Sequence, residues 1–371
     1  MDSENALAAW LRLTLIPGIG GETQRKLLAA FGLPETIFAA SRTTLAGVIG
    51  DKAAGLLLDT DNAEAVAAAC QWVDGKHQHV ITLANPEYPQ MLLEIPDPPT
   101  LLYVRGRLEL LNRPALAIVG SRNPTPQGLQ NAGQFASALA GAGLAIASGL
   151  ALGIDAAAHR GALAVAGDTV AFIGTGIDRI YPARNKELAF EIAERGAIVS
   201  EFPLGTPVTA FNFPKRNRLI SGISRGVLVV EAAVESGSLI TARLASEQGR
   251  EVFAIPGSIH SPQARGCHKL IKQGAKLVET AQDVLEELRW TSPPAAAAKV
   301  GKAETAQTDA NGDDASDALL ATMGFDPCGL DELVQRSGLA ADTLSVMLLH
   351  LELDGRVASL PGGRYQRLSP N

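Results

Sequence analysis

The chain has 371 residues, 46% of them apolar, which is enough for two to three domains with a buried core in the largest. A formal charge of −7 excludes a generic positive coat for duplex DNA, so any nucleic-acid role must sit in a local patch. Three scattered cysteines exclude a disulfide framework, the acidic start MDSENALAAW is unlike a signal peptide, and no apolar run approaches the ~18 residues of a membrane span; a cytoplasmic chain without membrane contact is the expectation.

Residues 1–80 are rich in Ala and Leu with helical spacing, which predicts a small helical domain of the SAM or helix-hairpin-helix kind. Inside it, LTLIPGIGGETQRKLLAAFG reads as helix, Pro-Gly-Ile-Gly hairpin, helix. Its glycines would let backbone N–H groups approach a phosphate at a helix start, or would only turn the corner. The proline-rich stretch NPEYPQMLLEIPDPPTLLYVRG predicts an extended connector. Six continuous apolar runs follow, ALAIVG, LAIASG, TVAFIG, AIVSEF, GVLVVEA and EVFAIPG, most of them trailed by helical stretches. That alternation predicts an α/β, Rossmann-like core with a mainly parallel sheet over residues 85–290. Residues 291–315 lack apolar periodicity and read as a disordered linker. Residues 316–371 predict three short helices and a Gly-Gly hairpin, a winged-helix domain.

Charge is unevenly placed along this plan. Between Glu201 and Glu279 there are ten Lys or Arg against six Glu, whereas from Gly301 onward there are five Lys or Arg against eleven acids. The basic stretch belongs to the predicted core and the acidic one to the tail of linker and winged helix.

In an open parallel sheet, ligands bind beyond the carboxyl ends of the strands. The residues expected there are Gly120, Ser121 and Arg122 after the first run, Gly149 after the second and Gly174 after the third. Bare backbone N–H groups and a forked guanidinium suit a phosphate oxygen. The run VGSRNPTPQG lacks the G-x-G-x-x-G dinucleotide fingerprint. After the fourth run, FNFPKRNRLISGISRG sets Lys215, Arg216, Asn217 and Arg218 beside Phe211 and Phe213. Cations for the backbone with aromatic faces for unstacked bases is single-strand chemistry, although core phenylalanines and solvated cations would leave the same pattern. Ser236, Gly237 and Ser238 precede a predicted helix, where they can offer donors to a phosphate or simply cap.

Taken in order, VGSR, SGLALGIDAAAHRGAL, GTGIDRIYPARN, SEFPLG, FPKRNRLISGISRGVLVVEA, SGSLITARLASEQGREVFAIPG and GCHKLIKQGA resemble the successive motifs of the DprA/Smf (DNA-processing) family. The resemblance implies a non-catalytic protein that binds single-stranded DNA without sequence preference, forms a homodimer, and loads RecA recombinase onto incoming DNA during natural transformation. Carried over by position, it points to Arg122, Phe213, Lys215, Arg216 and Arg218. One departure falls at Ala210 and Phe211, where some relatives carry a lysine, which bears on the number of phosphate contacts.

Two other functions compete. A Rossmann-type nucleotide phosphoribohydrolase would need a glutamate for acid–base work after its glycine-rich helix start; here ESGSLITA offers none, although Glu231 and Glu235 precede it. A duplex-reading winged-helix regulator would need a basic recognition helix, whereas DTLSVMLLHLELDGR is acidic and apolar and suits protein contact better. His159, among alanines, reads as a packed residue, and adjacent Cys267 and His268 are wrongly spaced for one metal. No metal, cofactor or catalytic residue is assigned.

Overall fold

In the computed structural model, residues 2–291 and 313–368 are described. Helices α1 (Asp2–Thr14), α2 (Gly21–Phe31), α3 (Pro34–Ala39), α4 (Arg42–Ile49), α5 (Asp51–Asp59) and α6 (Ala63–Val73) make the N-terminal unit. Leu13, Ile16, Ile19, Leu27, Ile37, Leu45 and Leu57 fill its core. The turn between α1 and α2 places Gly18 at a φ of 86°, a conformation that favours glycine.

The six apolar runs form β3 (Ala115–Val119), β4 (Ala145–Ser148), β5 (Thr169–Phe172), β6 (Ala197–Ser200), β7 (Gly226–Val229) and β8 (Glu251–Ala254). With β1 (Gln78–Thr82), β2 (Leu101–Gly106) and β9 (Lys276–Leu277) they build one sheet in the order β1-β2-β6-β5-β4-β3-β7-β8-β9. Strands β6 to β9 of that order are parallel, and β1 and β2 are antiparallel additions at one edge. The segment expected to be an extended connector thus also carries the short helix α7 (Gln90–Leu93) and the strand β2. The sheet starts at Gln78, before the expected boundary at residue 85.

Alternation along the central strands feeds two cores. Ala115, Ala117 and Val119 of β3 pack on one face with Leu219, Ile220 and Ala242. Those side chains belong to α11 (Asn212–Ile223) and α12 (Gly237–Glu247). Leu116 and Ile118 pack on the other face with Phe135, Leu139, Ala158 and Ala162. These lie on α8 (Pro126–Gly141) and α9 (Ile154–Ala164). A sheet buried on both faces explains why its strands read as unbroken apolar runs. The chain steps outward from β3 to β6, then returns across β3 to β7. The topological switch therefore falls between β3 and β7. Helices α10 (Lys186–Arg195), α13 (Arg265–Lys272) and α14 (Ala281–Glu287) complete the layers.

The expected linker falls almost wholly outside the described residues. Beyond it, α15 (Asp313–Met323), α16 (Leu330–Ser337) and α17 (Ala341–Leu353) pack with a three-stranded sheet of β10 (Cys328–Gly329), β11 (Val357–Leu360) and β12 (Arg364–Arg367), which is the winged helix. Gly362 and Gly363 both take positive φ in its hairpin. No helix among the described residues is long and apolar enough to cross a membrane.

Candidate nucleic-acid interface

A cleft of about 620 Å³ opens at the switch between β3 and β7, bounded by the loop after β3 and the starts of α11 and α12. Gly120, Ser121 and Arg122 form one wall. A Cβ on Gly120 would stand 2.9 Å from the Glu231 carbonyl oxygen, so the strand end tolerates no side chain. Ser121 is buried, its carbonyl accepts the Ile154 N–H at 3.1 Å, and its hydroxyl accepts the Asn123 N–H at 3.1 Å. These bonds leave Arg122 at the mouth.

Arg122 lies over Phe213, with its guanidinium carbon 5.4 Å from the ring centroid. Tyr181 meets the same ring at 6.0 Å with a 41° tilt. Phe213 is seated against the backbone of Gly174, where a Cβ would come within 3.2 Å of the ring, and Asn212 donates to the Gly174 carbonyl at 3.0 Å. Phe211, one helical step before Asn212, is 72% exposed, and the Lys215 ammonium sits 5.0 Å from its ring centre. Accessible rings paired with cations, Phe211 exposed and Phe213 half-buried, are the parts that stack unpaired bases while holding their phosphates.

The sequence placed Lys215, Arg216 and Arg218 side by side as cations for the backbone. The helix divides them: Arg216 turns toward the cleft, whereas Lys215 and Arg218, three positions apart, share the other side of α11. Arg216 is buried, and its Nη1 donates to the carbonyls of Gly149 and Phe172, the latter at 2.7 Å, tying the ends of β4 and β5 together. Gly149 has no room for a Cβ beside that guanidinium. Burial pushes the Arg216 guanidinium down to about 10, with Asp155 opposing, so it stays charged at neutral pH and sets a positive floor under the cleft. Burial pushes the Asp155 carboxyl up, against Arg216 and the N–H groups of Ala151 and Gly149. Arg218 turns to the far side. It donates through Nε to Asp97 at 2.9 Å and through Nη2 to Glu201 at 2.6 Å. Asp97 in turn holds Arg25 of α2, so Arg218 joins the N-terminal unit to the core. Only Lys215 of the three is exposed.

Across the cleft, Ser236 caps α12. Its hydroxyl accepts the Ser238 N–H at 3.3 Å and lies 2.7 Å from the Ser238 hydroxyl. Capping and presentation to the cleft coexist, because Ser236, Gly237, Ser238 and Asn217 all line it.

Glu231 follows β7 and is committed to structure. Its carboxylate accepts the Thr125 N–H at 2.9 Å and the Thr125 hydroxyl at 2.6 Å, anchoring the start of α8. Burial pushes its carboxyl up, and the Thr125 bonds oppose this. Gly128 leaves it space, since a Cβ there would come 2.5 Å from the carboxylate carbon. Glu235 is exposed on the rim. His159 is wholly buried, with Nδ1 2.7 Å from the Thr169 hydroxyl. That hydroxyl donates to the Ile146 carbonyl, so the ring must donate through Nδ1 and stay neutral, and burial holds it down at about 3.

Tyr181, Asp155 and Asn123 were not singled out from the sequence. Tyr181 stands in the motif GTGIDRIYPARN after β5, where its position beyond a strand end was the available signal.

Comparison with known proteins agrees with this geometry. Residues 79–289 match the family model of DNA recombination-mediator protein A, and residues 303–363 match the DprA winged helix domain. The chain is 42% identical over 316 residues to Protein Smf of Escherichia coli, covering 82% of this chain and 81% of that one. It is similar to the X-ray structure of DNA processing protein A from Streptococcus pneumoniae, with a TM-score of 0.67 and 38% identity over 75% of this chain and 95% of that one. It is also similar to a Helicobacter pylori DNA processing protein A solved for its single-stranded DNA binding mode, with a TM-score of 0.52 and 33% identity over 57% of this chain and 97% of that one. With its core and its winged helix both matched, the chain belongs to the DNA recombination-mediator protein A family, also called DprA/Smf.

Proposed function

We propose that this protein binds single-stranded DNA without sequence preference along the cleft between β3 and β7, protects it, and loads RecA recombinase onto it as a homodimer during transformation. The observation that carries the binding step is the cluster of Arg122, Phe213 and Tyr181 beside exposed Phe211 and Lys215. Duplex DNA would not offer its base faces to such rings, whereas a single strand would, at about 1 to 3 kcal/mol per stacked base. The Helicobacter relative, described as binding single-stranded DNA, supports the same assignment. The RecA and dimer steps rest on family membership.

Bond chemistry is not part of this function. Hydrolysis needs a positioned acid or base; Glu231 has both oxygens taken by Thr125, Asp155 holds the backbone of Gly149 and Ala151, and Glu235 is exposed on the rim with no group among the described residues to position it. Arg122, Lys215 and the serines bind phosphate but transfer protons poorly near neutral pH. A gel shift of the purified protein with single- and double-stranded DNA of equal length tests the proposal. The single strand should shift at lower protein concentration, and equal shifts would refute it.

A further inference from the structure

Helix α11 is a wedge between two pockets. Phe213, Arg216 and Asn217 face the cleft, whereas Lys215 and Arg218 face a second pocket of about 240 Å³ at the junction with the N-terminal unit. Its opposite wall is the start of α2. Gly20 is the N-cap there and has no side chain to cap the first N–H groups, and Gly21 lines the same wall. A helix of 11 residues with an uncapped start presents partial positive charge and free donors.

A second observation is independent of that helix. Thr100 and Tyr103 line the same pocket, are 4% and 1% exposed, and their hydroxyls have no hydrogen-bond partner among the described residues. Two buried hydroxyls left unpaired call for a polar guest. Charge decides which kind. Asp97 and Glu201 also line the pocket and pair with Arg25 and Arg218; Glu201 Oε1 and the donor Arg218 Nη1 keep no hydrogen-bond partner among the described residues, and Lys215 is left without an ion pair among them. Free N–H groups, two hydroxyls and one uncompensated ammonium suit an anion with several acceptor oxygens.

We propose that this junction pocket binds a phosphate group, held by the start of α2 and by Lys215. Its source is a backbone phosphate of a strand leaving the cleft over the first turn of α11, or free phosphate. The first source rests on the single-strand reading above; the phosphate chemistry does not.

The test uses the full chain and Gly20→Asp. Gly20 sits at φ −80° and ψ 169° with open space around its Cβ position, so aspartate can cap α2 without strain while placing a carboxylate where the phosphate would lie. Gly20→Ala adds neither cap nor charge and is the control. Inorganic phosphate at constant ionic strength should raise the melting temperature of the wild type and of Gly20→Ala but not of Gly20→Asp. For a backbone phosphate, Gly20→Asp should bind oligothymidylate of about twenty nucleotides roughly tenfold more weakly, with a salt slope lower by about 0.7, while its affinity for about six nucleotides is unchanged. A phosphate effect without the oligonucleotide effect assigns the pocket to free phosphate. If Gly20→Asp matches the wild type in both measurements, or weakens short and long oligonucleotides equally, the site does not exist. A wild type that binds neither oligonucleotide refutes the single-strand reading instead, and the melting measurement still judges the pocket.

Discussion

Arg122 and Phe213 lie 91 positions apart in the chain yet meet at the cleft, the guanidinium carbon over the ring at 5.4 Å from its centroid. The end of β3 supplies the cation and the start of α11 supplies the ring. The pairing joins a phosphate donor to a stacking face at the topological switch, where a parallel sheet is open to a ligand.

Arg122→Ala should therefore weaken single-strand binding about tenfold or more, because a hydrogen bond to a charged group contributes roughly 1.5 to 3 kcal/mol. Its melting temperature should stay close to that of the wild type, since no ion pair of Arg122 occurs among the described residues and its ring contact is worth about 0.5 to 1 kcal/mol. Anisotropy titration and a thermal melt check the two halves; normal affinity, or a collapsed fold, contradicts the account.

Phe211→Ala tests stacking without touching the core. At 72% exposure the ring adds little to stability, so the melt should not move. Loss of one stacked base should cost about 1 to 3 kcal/mol of binding, read as a rise in Kd for oligothymidylate of about 5-fold to about 150-fold.

Lys215→Ala and Arg218→Ala should part company although they lie three positions apart. Lys215→Ala should lower affinity and leave stability alone. Arg218→Ala leaves Glu201, itself nearly buried, without its partner and Asp97 with Arg25 alone, and breaking such a buried pair costs about 3 to 5 kcal/mol. Urea unfolding of both variants separates them, and equal midpoints would contradict the assignment of Arg218 to the domain junction.

That contrast shows what was legible in the sequence. The six apolar runs became β3 to β8 because burial on both faces leaves a local signature of continuous apolar residues. Strands β1 and β2 join the sheet as an antiparallel edge, flanked by prolines and turn residues, and β9 has only two residues, too short to carry a pattern. At the site, residue types were readable but directions were not. Lys215, Arg216 and Arg218 look equivalent in a string, whereas helical rotation turns Arg216 beneath the cleft, and Asp97 and Glu201, remote in sequence, claim Arg218 and leave Lys215 exposed. Glu231 was likewise unreadable, because its partner Thr125 is 106 positions away.

His159 predicts a pH dependence of stability. Burial holds it down at about 3 in the folded state, against about 6.5 when unfolded, so the unfolded chain binds more protons between those values. The stability is fully present above pH ~6.5 and is lost as pH falls toward ~3, amounting to about 2 kcal/mol by pH 5. Asp155, Glu201 and Glu231, whose carboxyls are pushed up by burial, act in the opposite sense. Comparison with His159→Gln isolates the histidine: urea midpoints of the wild type should drop more between pH 7.5 and 5 than those of the variant, and parallel drops would contradict it.

The central claim is selective capture of single strands by a salt-sensitive cleft. The most direct measurement is anisotropy of a labelled oligothymidylate, titrated with the full chain at several salt concentrations and challenged with unlabelled single strand or duplex of the same length. The account predicts that log K falls linearly with log salt, that unlabelled single strand displaces the probe, and that duplex displaces it far less. Equal displacement by duplex, or an affinity indifferent to salt, would contradict it.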